Sequence, residues 1–158
     1  MRTLLAATLL SFTACSGGGA QILECTGTCS CDTMTRTCSC SGGSTCTVAS
    51  APDITLVCAG NARCDLSCAE RCAVECGGTT GCDATMGPTS TASCFGTGGC
   101  DFTCQGDCAV DCPGSAECVV RCPPGATCTI TSCSATDCGG GVQACRASCP
   151  SPATDAGP

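Results

Sequence analysis

Two sets of five cysteines recur along this chain at an interval of 18 residues: Cys40, Cys58, Cys76, Cys94 and Cys112, and Cys46, Cys64, Cys82, Cys100 and Cys118. A period sustained over five copies marks a repeat architecture, in which each unit packs mainly against its neighbours. Five residues separate the two cysteines of each unit, and the second of the five is always glycine: Gly42, Gly60, Gly78, Gly96 and Gly114. A glycine at one fixed place in a turn implies either a positive φ or a backbone passing too close for a Cβ.

Between these turns lie short segments with period-two patterning. One series reads Cys46-Val48-Ser50, Cys64-Leu66-Cys68, Cys82-Ala84-Met86, Cys100-Phe102-Cys104 and Cys118-Val120-Cys122 at alternate positions. The other reads Ile54-Leu56-Cys58, Cys72-Val74-Cys76, Ser90-Ala92-Cys94 and Cys108-Val110-Cys112. The residues between are mainly Thr, Asp, Ala, Ser and Glu, so each segment predicts a five-residue strand with one buried face. Two such strands, a five-residue turn and a three-residue turn fill the 18-residue period.

The three-residue turns carry an internal regularity. Their flanking positions are Ser50 with Ile54, Cys68 with Cys72, Met86 with Ser90, and Cys104 with Cys108. Cysteine stands at both positions or at neither, and where it is missing the turn holds Pro52 or Pro88. Joint presence predicts a direct bond, while proline restricts the turn by other means. Extending this rule assigns eight disulfides: Cys40–Cys46, Cys58–Cys64, Cys68–Cys72, Cys76–Cys82, Cys94–Cys100, Cys104–Cys108, Cys112–Cys118 and Cys122–Cys128. Loops this short contribute about 2 kcal/mol each in the chain-entropy account. With Cys15 set aside, four cysteines precede the repeat and four follow it, so each cap can close on itself with two bonds, in any of three pairings.

Two architectures fit these units. A short disulfide-stapled β-solenoid makes each 18-residue, two-strand unit one rung and stacks equivalent strands in parallel. An antiparallel β-meander of disulfide-closed hairpins is the alternative, since both turn lengths suit hairpins. The meander leaves the Val/Leu/Phe row uncovered, whereas the solenoid covers that row with itself. An all-β solenoid with a core roughly 24 Å long over five rungs is therefore expected.

Composition agrees with a stapled scaffold. The chain has 158 residues, 25 of them cysteine, with no His, Trp or Tyr and aromatic content of 2%. So little bulk to bury, with so much cysteine, belongs to the disulfide-dependent class of exported domains. A formal charge of −7, with every basic residue an arginine, argues against nucleic acid as a partner.

The N-terminus explains the odd cysteine. Arg2, the apolar run Leu4 to Leu10, and Ser11-Phe12-Thr13-Ala14-Cys15 form a secretion signal too short to span a membrane. Its ending resembles the lipobox of bacterial lipoproteins, with Phe12 where that family usually has Leu. The resemblance implies cleavage after Ala14, acylation of Cys15 and a lipid anchor; Ser16 in place of Asp implies the outer membrane. An ordinary signal peptide cut near Ala20 is the alternative, and either event leaves 24 cysteines, an even number. The expected divisions are 1–14 signal peptide, 15–24 lipidated N-terminus and flexible spacer, 25–39 N-terminal cap, 40–132 repeats, 133–149 C-terminal cap, and a disordered tail at 150–158.

Thr28-Cys29-Ser30-Cys31 and Thr37-Cys38-Ser39-Cys40 resemble metallothionein in their Cys-x-Cys spacing, which implies thiolate metal sites, but export favours disulfides. The narrow repeat is also similar in architecture to disulfide-rich β-solenoids such as beetle antifreeze proteins. Their flat Thr-x-Thr ladder has no counterpart in the outward pairs Thr47/Ala49, Asp65/Ser67, Asp83/Thr85 and Asp101/Thr103.

A solenoid would instead stack Asp65, Asp83 and Asp101 outward about 4.8 Å apart. That column is a candidate Ca²⁺ site, because a hard cation relieves like-charge repulsion. Catalysis is not expected: histidine, lysine and tyrosine are absent, and the recurring cysteine spacing is Cys-x3-Cys rather than Cys-x-x-Cys. No cofactor is expected. The sequence reading is an exported, lipid-anchored structural or adhesive protein of the bacterial cell envelope, touching the membrane through its lipid and an envelope partner of unknown identity. A metal- or small-ligand-binding module, using the aspartate column or thiolates in the caps, is the alternative.

Overall fold

The computed structural model describes residues 22–43 and 45–151, and within these the side chains of all but 22–26 and 46. The signal region, Cys15 and most of the tail lie outside the described residues, and Cys25 and Cys46 are described by backbone alone. Fifteen strands follow one another: β1 (Ile22–Thr26), β2 (Cys29–Asp32), β3 (Thr37–Cys40), β4 (Thr45–Ser50), β5 (Thr55–Gly60), β6 (Arg63–Cys68), β7 (Ala73–Gly78), β8 (Cys82–Met86), β9 (Ser90–Cys94), β10 (Cys100–Cys104), β11 (Cys108–Asp111), β12 (Cys118–Arg121), β13 (Cys128–Thr131), β14 (Thr136–Gly139) and β15 (Val142–Cys145).

They form a β-solenoid of about five turns. Odd-numbered strands from β3 to β13 stack in parallel in one sheet, and even-numbered strands from β4 to β12 stack in parallel in the other. The register is the 18-residue period itself: Cys46 on Cys64, Cys64 on Cys82, Cys82 on Cys100, and Cys100 on Cys118. From β3 to β13 successive strands therefore lie in opposite sheets rather than pairing as hairpins, so the meander is not adopted. The first rung already includes β3, whose Thr37 pairs with Thr55.

The reason lies in the inward rows. Val48, Leu66, Ala84, Phe102 and Val120 line one sheet, and Leu56, Val74, Ala92 and Val110 line the other; all are buried. Facing rows of small side chains bury each other only if the sheets close together, which the parallel stack permits and an open meander does not. Phe102 is fully buried. The space it needs is left by Ala84, its sheet neighbour, and by Ala92, the central inward residue of the facing strand. This large-against-small exchange keeps the core filled. Disulfides across the turns have Cα–Cα separations of 6.0 to 6.5 Å, so the sheets pinch together at both edges.

The glycine column of the five-residue turns has two explanations. Gly42, Gly60 and Gly114 have positive φ, between 69° and 104°. Gly96 does not, but a Cβ there would lie 2.0 Å from the Gly78 carbonyl oxygen of the rung below, so close stacking itself excludes a side chain.

Antiparallel strands end the stack at three of its four sheet edges among the described residues, and parallel β13 forms the fourth. β1 runs antiparallel on β4 and β2 on β3; at the far end β15 runs antiparallel on β12, with β14 outside it. Ending a parallel stack in this way blunts an edge that would otherwise recruit further strands. Arg146 fastens the C-terminal cap, donating from Nε to the Ala116 carbonyl at 2.9 Å and from Nη2 to the Cys112 carbonyl.

Candidate functional site

The staples account for most of the thiol chemistry. In the five-residue turns Cys58–Cys64, Cys76–Cys82, Cys94–Cys100 and Cys112–Cys118 are bonded. At the opposite edge Cys104–Cys108 and Cys122–Cys128 are bonded. The caps hold Cys31–Cys38, Cys133–Cys145 and Cys138–Cys149. Cys40 is also disulfide-bonded, while the Cys46 side chain expected to pair with it lies outside the described residues. Sulfurs bonded in this way are not thiolates, so these cap cysteines offer no metal-thiolate site.

Cys68 and Cys72 depart from the expectation. Both are buried free thiols rather than a disulfide. The physical reason is that each sulfur is engaged elsewhere and the turn between them is held without it. Cys72 Sγ lies 3.4 Å from the Glu70 carbonyl oxygen and 3.9 Å from that of Ala51. Cys68 Sγ lies 4.0 Å from Ser90 Oγ, which also accepts the Cys72 N–H at 3.1 Å. The two thiols share a hydrogen bond, which pushes Cys68 up and draws Cys72 down from their ordinary thiol values.

The intervening turn, Ala69-Glu70-Arg71, is fixed by charge and backbone. Arg71 has φ 51° and grips Asp53 of the preceding turn with two bonds, Nε to Oδ1 at 2.8 Å and Nη2 to Oδ2 at 3.0 Å. Its backbone N–H donates to the Pro88 carbonyl at 3.1 Å, and Asp53 N–H donates to the Glu70 carbonyl at 3.0 Å. The guanidinium holds the Asp53 carboxyl below its usual range.

The aspartate column exists as backbone register: Asp65 pairs with Asp83 and Asp83 with Asp101. Its charge is already partly answered. Arg63 meets Asp83 at 2.8 Å, and Arg121 meets Asp101. A shallow groove of about 240 Å³ runs here, with Arg63 in its wall beside Asp83, Asp101 and Glu117. Two arginines relieve the repulsion that motivated a cation. Among the described residues, the one cluster of three metal-type ligands within 4.8 Å is Cys104, Cys108 and Cys128, all of them in disulfides.

A larger open groove, about 880 Å³, separates the Pro123-Pro124-Gly125 turn from Asp137, Gly140 and Gln143 of the cap. The acid there is occupied locally, since Asp137 Oδ1 accepts the Gly139 N–H at 2.8 Å. The ion pairs are the features that sequence reasoning missed. Arg63 to Asp83 and Arg121 to Asp101 each span 20 residues, one rung plus a diagonal step, and the 18-residue register would have exposed them. Compared with protein-family models, curated proteins and solved structures, the chain matches none.

Proposed function

We propose that this protein is an exported, lipid-anchored, non-catalytic scaffold of the bacterial cell envelope, holding a structural or adhesive surface at a fixed distance from the membrane. A disulfide-rich β-solenoid fits an extracellular structural or interaction protein. The observation that carries the finer reading is the use of the inward positions. Core residues and staples take up the interior, and the polar chemistry lies outside, where carboxylates on the face of the even-numbered strands pair with arginines of neighbouring rungs. Such a molecule presents surfaces rather than a convergent pocket. Among the described residues, antiparallel strands close three of the four sheet ends, which favours a rod of set length over an open filament. The lipobox resemblance at Cys15 supplies the anchor, and Ser16 the outer-membrane address.

Fractionation of the expressing cells, with intact mass of the purified protein, tests this. The expected result is a diacyl or triacyl mass on a chain beginning at Cys15, recovered with membranes, and release to the soluble fraction on Cys15→Ala. Soluble wild-type protein lacking any acyl mass overturns the anchored reading.

A further inference from the structure

We propose that Cys68 and Cys72 form a reversible dithiol–disulfide site that exchanges with low-molecular-weight disulfides while the staples around it stay closed. Four observations converge on this pair.

The first is geometric precedent within the same molecule. Cys68, Met86 and Cys104 occupy one inward column, in register from rung to rung. Cys104 is bonded to Cys108 across a three-residue turn at a Cα–Cα separation of 6.2 Å. Cys68 and Cys72 have the same spacing and the same place two rungs away, so a bond there fits the solenoid without a new backbone path.

The second is that the open form stands by itself. Arg71–Asp53 and the backbone bonds to Pro88 and Glu70 hold the turn with both thiols free. Opening this bond therefore leaves the rung in place.

The third is insulation. Thiolates attack any disulfide sulfur they can reach. At the other three-residue corner, Cys128 of one staple lies within 4.8 Å of both Cys104 and Cys108 of the next, so a thiol released there would meet a second disulfide. Around Cys68 and Cys72 the corresponding positions are Ser50 and Ile54 on one side and Met86 and Ser90 on the other, all buried. None of these exchanges, so the pair can cycle without scrambling its neighbours.

The fourth is asymmetry between the two sulfurs. The shared hydrogen bond favours the Cys72 thiolate and keeps the proton on Cys68, which separates an attacking from a resolving thiol. Cys72 also borders the turn, against the Ala51 and Glu70 carbonyls, where opening of residues 69–71 would admit a small reagent.

The exchange balances in two steps. The Cys72 thiolate attacks one sulfur of RSSR; the S–S bond breaks, and RS⁻ leaves and takes up the proton that Cys72 gave away. Cys68 then loses its proton and attacks Cys72 Sγ of the mixed disulfide, forming Cys68–Cys72 and releasing the second RSH. Two protein thiols are oxidised as one small disulfide is reduced to two thiols. Reductant runs both steps backward.

The test equilibrates the full purified protein with mixtures of oxidised and reduced glutathione, quenches with acid, alkylates, and maps labelled peptides. Labels on Cys68 and Cys72 should vanish together as the mixture becomes oxidising. The structural staples should need a glutathione mixture at least about tenfold more reducing before they open. Cys68→Ser should trap glutathione on Cys72, whereas Cys72→Ser should trap markedly less on Cys68. The proposal is overturned if the pair stays in one state across all mixtures, or if it opens together with the other staples. Equal trapping by the two variants would overturn the assignment of attacker and resolver.

Discussion

The turns at 69–71 and 105–107 have the same length, the same flanking cysteines and the same place in their rungs, yet one is closed by a disulfide and the other is not. At 105–107 the bond Cys104–Cys108 sits against Cys122–Cys128 in the next rung. Gln105-Gly106-Asp107 fastens upward by donation of the Thr127 N–H to Asp107 Oδ1 at 2.7 Å. At 69–71 the bond is replaced by Arg71 at positive φ, clamped on Asp53. The difference teaches that in a stacked solenoid a turn is stabilised by its neighbours above and below as well as across its own ends. A covalent staple is one of several ways to hold the corner, and where the others suffice the cysteines are released for chemistry.

The largest expected effect asks whether the closed rung depends on its staples or on its core. Phe102 lies in a rung bonded at both turns, by Cys94–Cys100 and Cys104–Cys108. Phe102→Ala should cost about 3–5 kcal/mol, the usual range for removing a fully buried aromatic side chain. Non-reducing chemical denaturation followed by circular dichroism reads the loss. A cost below about 1 kcal/mol would mean that staples alone hold the rung, and the comparison between the two turns would have to be redrawn on covalent grounds only.

Next comes the comparison itself. Cys104→Ala with Cys108→Ala removes a loop constraint worth about 2 kcal/mol together with two buried side chains. Cys68→Ala with Cys72→Ala, measured against protein whose pair is kept as thiols, removes only the side chains. The two double variants should therefore differ by about 2 kcal/mol in unfolding free energy. Equal costs would show that the closed bond contributes nothing beyond packing.

The comparison also marks what could be read from the chain. The 18-residue register, the alternation of inward Val48, Leu66 and Phe102 with outward polar residues, and the staples Cys58–Cys64, Cys76–Cys82, Cys94–Cys100 and Cys112–Cys118 were all legible. They rest on period and pattern, which the linear order carries directly. The state of Cys68 and Cys72 was not legible, because spacing places two sulfurs near each other but does not say what else competes for them. That competition comes from the Ala51 and Glu70 carbonyls beside Cys72 Sγ and from Ser90 Oγ beside Cys68 Sγ, while Asp53 and Pro88 hold the turn through Arg71. The pairing of Cys133 with Cys145 and Cys138 with Cys149 was likewise open, since it depends on the β14–β15 hairpin folding back across β12. The aspartate column was found in the sequence, but its partners Arg63 and Arg121 reach it diagonally, a relation visible only once the rungs are stacked.

The smallest effect falls on the open turn alone. Arg71 holds the Asp53 carboxyl below its usual value of 3.8. A carboxyl depressed in the folded state adds stability that is present above the unfolded value and is lost as pH falls through the folded one. The clamp should therefore be intact at neutral pH and weaken only in acid below that usual value. Because both partners are exposed, salt should weaken it as well. Asp53→Asn isolates the effect at neutral pH. Hydrogen exchange of the Arg71 and Cys72 amides should quicken by less than about tenfold, with Asp107 and Cys108 unaffected as the internal reference. Acceleration in both turns would mean that Asp53 stabilises the whole stack, and no acceleration in either would mean that the backbone bonds to Pro88 and Glu70 hold the open turn without the charge.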